Sequence, residues 1–253
     1  MYKLRRRLSQ NFLHSRKLIS KLLDKSFIGK NDIVLEIGAG KGIITEQLIV
    51  RAKHVLAIEL DSYWFNYLRT KFSNVNNLNL YQGNFLGFSL PRSPYKVFAN
   101  IPFTIEGKII RKLIDSENPP EDCYIIIRKD LAYRLSAQYK ENQFSIMHKP
   151  WFSFSIYYRF NGKDFIPHTK VNVVMMRFRK RAQPILPLSE KFKYQNFIRL
   201  GFGNGLPIFE NLKRVWGFGK TLNAIRKVQI DKQTKPSHLS LQQWVNLYRE
   251  FIA

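Results

Sequence analysis

Four consecutive residues, Asn100-Ile101-Pro102-Phe103, close an apolar run that begins near Tyr95. A side-chain amide oxygen and a neighbouring backbone carbonyl form a pair of hydrogen-bond acceptors. Such a pair suits an exocyclic amine, such as the N6 amine of adenine, whose lone pair is delocalised into the ring. Accepting both of its hydrogens favours a pyramidal nitrogen with a localised lone pair. Asn100 and the carbonyl of Ile101 would be those acceptors, Pro102 would stiffen the turn, and Phe103 would stack on a base taken out of its helix. Transfer of a methyl group from an activated sulfonium then needs positioning and electrostatics more than a strong base. Asn and Pro are also ordinary turn residues, so the tetrapeptide draws its meaning from what precedes it.

What precedes it is Glu36-Ile-Gly38-Ala-Gly40-Lys-Gly42, an apolar strand running into a glycine turn. Glycines permit the tight turn and let a ligand approach the backbone closely. Glu59 ends the next apolar run, about 20 residues on, where an acid can bind ribose hydroxyls. These features alone fit a nicotinamide dinucleotide and S-adenosylmethionine alike. The spacing is Gly-x-Gly-x-Gly, however, and Glu36 beside it would repel a pyrophosphate and attract a cationic methionine moiety. Asn84 follows the third strand, where an adenine edge is expected. Its amide can accept from the adenine amine and donate to a ring nitrogen.

The elements that must position these residues alternate. DIVLEIGAGKG (a strand running into a glycine turn), HVLAIELD, LNLYQGNF, YKVFANIPF and DCYIIIRKD read as strands, separated by amphipathic helical runs, which predicts an α/β fold with a mostly parallel sheet. WFSFSIYYRF and KVNVVMMRF have no helix between them and predict an antiparallel hairpin at one sheet edge. Ser15 is placed to cap a helix through Leu18, Ile19, Leu22 and Leu23, and Ser240 to open a final one. RKRAQPILP after Phe178 reads as a linker. A boundary near residue 180 therefore separates a catalytic domain, 1–180, from a small helical domain, 181–253.

The 253 residues carry 42 Lys and Arg against 18 Asp and Glu, a formal net charge of +24. This excess points to a polyanionic partner, nucleic acid before membrane. Arg5, Arg6, Arg7, Lys108, Arg111, Lys112, Arg128, Lys129 and Arg134 lie on segments near the expected active-site edge, where they would bind phosphates without reading sequence. One cysteine, Cys123, permits no internal disulfide, and no metal site is expected. No apolar stretch approaches a membrane span and the basic N-terminus lacks the apolar core of a secretory signal, so a cytoplasmic monomer is expected.

Taken with Ser9-Gln10-Asn11-Phe12-Leu13, Arg128-Lys129-Asp130-Leu131-Ala132-Tyr133-Arg134 and Phe165-Ile-Pro167-His-Thr-Lys-Val171, these motifs resemble the erythromycin-resistance (Erm) family of 23S rRNA adenine-N6 methyltransferases. They resemble the KsgA-type 16S rRNA dimethyltransferases more distantly. The resemblance, over residues 5 to 180, implies a Rossmann-like methyltransferase sheet and S-adenosyl-L-methionine as cofactor. It implies that Asn11 and the backbone of Leu13 line the cofactor pocket, that Gly38 and Gly40 hug the cofactor, and that Glu59 binds its ribose and Asn84 its adenine. Asn100 and Ile101 would hold the target amine, with Phe103 and Phe165 flanking it. Asn84 departs from the family's usual Asp and Thr169 from its usual second proline, and Phe103 replaces the commoner Tyr, a tolerated variant because stacking needs only the ring. The Erm resemblance implies 23S rRNA as partner and resistance to macrolides, lincosamides and streptogramin B. The 16S family typically reads Asn-Leu-Pro-Tyr where this chain has Asn-Ile-Pro-Phe. A non-catalytic nucleic-acid-binding relative and, more distantly, a nicotinamide dehydrogenase are the other readings.

Overall fold

The computed structural model describes residues 11–252; Arg5, Arg6, Arg7, Ser9 and Gln10 lie outside them. The chain begins with β1 (Phe12–Leu13), α1 (Arg16–Asp24), β2 (Ile33–Ile37), α2 (Ile43–Ile49), β3 (His54–Glu59), α3 (Ser62–Lys71) and β4 (Leu78–Gln82). It continues with β5 (Lys96–Asn100), α4 (Glu106–Asp115), β6 (Asp122–Arg128), α5 (Lys129–Ser136), α6 (Gln143–His148), β7 (Phe152–Arg159), β8 (Phe165–Ile166) and β9 (Val173–Lys180). The helices α7 (Lys191–Gly201), α8 (Ile208–Trp216), α9 (Phe218–Lys227) and α10 (Leu241–Ile252) close the chain.

Seven strands form one sheet in the order β4-β3-β2-β5-β6-β9-β7. The pairs β4-β3, β3-β2, β2-β5 and β5-β6 are parallel, and β9 joins β6 antiparallel from Asp122 opposite Arg179 to Arg128 opposite Val173. The mostly parallel sheet with an antiparallel edge is the one the sequence predicts, with the second arm of the hairpin on the inside and β7 at the rim. Strands covered on both faces are apolar throughout rather than alternating. In β6 every residue from Asp122 to Ile127 is buried, Cys123 among them. Ser15 caps α1, its Oγ accepting from Leu18 N at 3.2 Å, which spares one orphan N–H at the helix start. Away from the large sheet, β1 pairs antiparallel with β8, Leu13 opposite Phe165.

The described residues form two compact units, 11–132 with Ser155–Arg179, and Tyr133–Phe154 with 180–252. The last passage of the chain between them falls at residue 180. Residues 133–154, which the sequence reading leaves with the catalytic segment, group with the C-terminal helices. The core of that second unit is aromatic. Phe197 meets Trp216, Trp244, Tyr248 and Phe251 at centroid separations of 5.6 to 6.0 Å, and Trp244 stacks on Phe202 at 5.3 Å.

Candidate active site

The first unit carries a cleft at the carboxyl ends of its parallel strands, the place where open α/β sheets bind ligands. Asn11, Gly38, Gly40, Glu59, Asn84 and the run Asn100-Ile101-Pro102-Phe103 all line it. Three residues expected at the site do not. Leu13 is buried in the β1–β8 ladder, and Phe165 opposite it is fully buried, its ring 5.4 Å from that of Phe160. Glu36 is buried on β2, and the reason is the strand itself. Successive side chains leave opposite faces, and Ile37 turns to the cleft.

Glu36 instead accepts a 2.6 Å hydrogen bond from Thr45 Oγ1 on α2. Its other oxygen, Oε1, is buried with no hydrogen-bond partner in the protein. Burial, helped by repulsion from Glu59 and opposed by the Thr45 bond, pushes its carboxyl up to about 8. It is therefore largely neutral at neutral pH, where the sequence reading has it attract a cation.

The glycine turn is tied to β3. Gly38 N and Ala39 N donate to Ile58 O at 2.8 and 3.2 Å. Gly40 has φ +54°, and a Cβ there would lie 2.7 Å from Cε1 of Phe12, so both its conformation and the ring packed on it exclude a side chain. Glu59 braces the same turn: Oε2 accepts from Gly40 N at 2.7 Å and Oε1 from Asp61 N at 2.8 Å. Burial raises its carboxyl above the ordinary range, while these backbone donors act against that rise. Each oxygen keeps a further lone pair for a hydroxyl in the cleft.

At the end of β5, Asn100 Nδ2 donates to the backbone carbonyl of Asn11 at 2.7 Å. Only the NH₂ end of an amide can face a carbonyl, so this bond fixes the side chain with Oδ1 as its unspent acceptor. Asn11 thus acts on the site through its main chain. The turn after Pro102 is closed by Ile105 N donating to Pro102 O at 3.2 Å. Asn84 caps the 3₁₀ turn Phe85–Gly87, its Oδ1 accepting from Leu86 N at 3.0 Å. The amide therefore serves the loop while facing the cleft. Phe12, Ile58, Leu60, Gly83, Phe85, Ile105 and Ile109 also line the cleft, and the sequence reading does not single them out. Phe12 and Leu60, immediate neighbours of Asn11 and Glu59, were within reach of it.

The basic residues divide. Lys108 and Arg111 on α4 are exposed. Lys112 is committed within the fold, its Nζ donating to Leu86 O at 2.8 Å above the Phe85 ring. Arg128 is half-exposed but pairs at 2.7 Å with Glu106, a buried carboxylate. Lys129 begins α5 with its N–H bonded to Asn172 O at 2.8 Å. Arg134 is exposed in the second unit. Among the described residues no His, Cys, Asp and Glu cluster could hold a metal, and no helix is long and apolar enough to cross a membrane.

The chain is similar to known ribosomal RNA methyltransferases. The chain is 27% identical to a ribosomal RNA small subunit methyltransferase A of Caldanaerobacter subterraneus, over 97% of this chain and 96% of that one. It is 26% identical to an rRNA adenine N-6-methyltransferase of Bacillus anthracis, over 94% and 84%. The crystal structure of the 23S rRNA methyltransferase ErmE superposes with a TM-score of 0.85 at 25% identity, covering 96% of this chain and all of that one. The family model described as ribosomal RNA adenine dimethylase matches residues 1–253, and the chain belongs to that family, enzymes that methylate adenine in ribosomal RNA.

Proposed function

We propose that this enzyme transfers methyl groups from S-adenosyl-L-methionine to the N6 amine of an unpaired adenine of 23S rRNA near the peptidyl-transferase centre, a modification that confers resistance to macrolides, lincosamides and streptogramin B. The observation that carries the chemistry is the anchored Asn100 amide, with Oδ1 unspent beside the Ile101-Pro102-Phe103 turn. The cleft suits the cofactor: a cradle without side chains at Gly38 and Gly40, a carboxylate at Glu59 for ribose hydroxyls, and an amide at Asn84 for a purine edge. Once bound, the cofactor supplies a methyl group already activated as a sulfonium. The protein then has to orient the amine and accept its hydrogens. Asn100 Oδ1 and the Ile101 carbonyl do this, and the Phe103 ring holds the base by stacking. No strong base is required.

The 23S assignment is supported by Ile101 and Phe103, the residues of the Erm-type motif, and by the backbone likeness to ErmE. Catalysis is assigned to residues 1–180 and an accessory role to 181–253. The 16S reading has its own support in the likeness, over nearly the full length of both chains, to a small subunit methyltransferase. Incubation with labelled S-adenosylmethionine and purified 23S or 16S rRNA, followed by nucleoside analysis, separates them. N6-methylated adenosine in 23S alone supports the proposal. Label in 16S alone overturns it in favour of the second reading.

A further inference from the structure

Helix α3 buries only Leu68 of its ten residues. Tyr63 and Tyr67 are 52% and 43% exposed, and with Lys71 they fall at four-residue spacing on one face. Half-buried Trp64 stands edge-on to Tyr63 at 5.0 Å, to Tyr67 at 5.7 Å and to Phe12 at 5.7 Å. Lys41, exposed, holds its Nζ 5.2 Å from the Phe12 centroid and 5.8 Å from that of Trp64. Lys71 Nζ lies 5.5 Å from the Tyr67 centroid. The acids nearby are already engaged: Glu46 pairs with Arg16 and Lys71, and Asp61 caps α3 by accepting from Tyr63 N. The surface is therefore aromatic and net positive, and it meets the cleft at Phe12, whose ring lines the cleft and touches Trp64.

We infer that this surface, Tyr63, Trp64, Tyr67 and Lys41, is a second RNA-binding site on which unpaired nucleotides flanking the target adenine stack. The inference rests on the reading of the protein as an RNA methyltransferase. Rings with a cation among them are what single strands require: every base offers a π face, and the exposed Lys41 meets a phosphate. A membrane-seeking helix would present a continuous apolar face, whereas this one carries Lys71 in line with the two tyrosines and is bordered by the polar stripe Ser62, Asn66 and Thr70.

The test uses the full chain and a fluorescein-labelled oligoadenylate RNA read by anisotropy, together with methylation kinetics on rRNA. Replacing both tyrosines (Tyr63→Ala with Tyr67→Ala) should weaken oligoadenylate binding about tenfold or more. It should raise KM for rRNA and leave kcat and S-adenosylmethionine affinity unchanged. The double Tyr→Phe variant keeps the rings and should bind as wild type. Lys41→Gln should lower the slope of log K against log salt by about one. Wild-type RNA affinity and KM in the double alanine variant, with an unchanged melting curve, overturn the inference. Should that variant misfold, Lys41→Glu decides instead: RNA affinity equal to wild type overturns the inference and a loss supports it. Loss of binding to phosphatidylserine vesicles with RNA binding intact also overturns it, in favour of a membrane surface. The oligoadenylate arm judges the surface and the rRNA arm judges the function. A wild type that binds RNA through these residues but methylates no rRNA leaves the surface standing and removes the proposed reaction.

Discussion

Glu36→Gln isolates the energetic cost of a carboxyl buried beneath the glycine turn. The folded protein holds this group's proton up to about pH 8, against an ordinary value of 4.5. Between those values the folded state binds a proton that the unfolded state has released, so stability falls as pH rises. At 1.36 kcal/mol per unit, the group costs roughly 2 kcal/mol at pH 6 and roughly 4 kcal/mol at pH 8. Glutamine removes that dependence. Its own cost is a buried Nε2 placed where Oε1 has no partner, about 1–3 kcal/mol at every pH. The two stability curves should therefore cross. The variant is the weaker protein near pH 5 and the stronger by about 1–3 kcal/mol near pH 8. Urea unfolding of both proteins at several pH values across this window measures the difference, and groups that do not interact with Glu36 cancel. Parallel curves would refute the reasoning. Because Glu36 does not line the cleft, the affinity for S-adenosylmethionine should change little. A large loss of affinity with parallel curves would place the carboxyl at the cofactor, as residue type alone suggested.

Asn100→Ala removes the oriented acceptor, and a loss of about 10²–10³ in kcat is expected with cofactor affinity largely kept; single-turnover transfer under saturating cofactor checks this, and near-normal turnover would contradict it. Gly40→Ala forces a Cβ to 2.7 Å from Phe12 at a positive φ, so a loss of about 1–3 kcal/mol in stability and weaker cofactor binding should follow, measured by thermal melting and calorimetric titration. Arg128→Ala strands the buried Glu106 carboxylate. Since the arginine is half-exposed and water can partly replace it, about 1–3 kcal/mol should be lost in chemical denaturation, and restored when Glu106→Gln is added.

The sheet was legible because fully buried parallel strands must be apolar runs, and DCYIIIR or HVLAIE admit little else. Most residues of the candidate cleft were legible too, since glycines, Glu59 and Asn100 fall where strands end. Orientation was not. Whether Glu36 lines the cleft depends on strand parity at the turn, which residue type does not encode. The anchor of Asn100 comes from a carbonyl 89 residues earlier, and the burial of Leu13 and Phe165 from a pairing across about 150 positions. No local pattern encodes either contact. The charges on Lys112 and Arg128 read as free for phosphate until Leu86 O and Glu106 are seen to hold them. The grouping of residues 133–154 with the last helices likewise depends on tertiary packing.

The bond from Asn100 Nδ2 to Asn11 O has a consequence for which bases the enzyme accepts. Turning the amide over to present its NH₂ in place of Oδ1 would give up this bond and set Oδ1 against the Asn11 carbonyl, and the neighbouring Ile101 carbonyl offers no N–H. The recognition edge is thus of one polarity. It can pair with a ring that presents hydrogens and opposes one that presents a keto oxygen, so inosine in place of the target adenosine meets lone pair against lone pair. On the proposed mechanism, discrimination between amino and keto purines would thus trace to a main-chain carbonyl in the N-terminal segment, which holds the Asn100 Oδ1 towards the base.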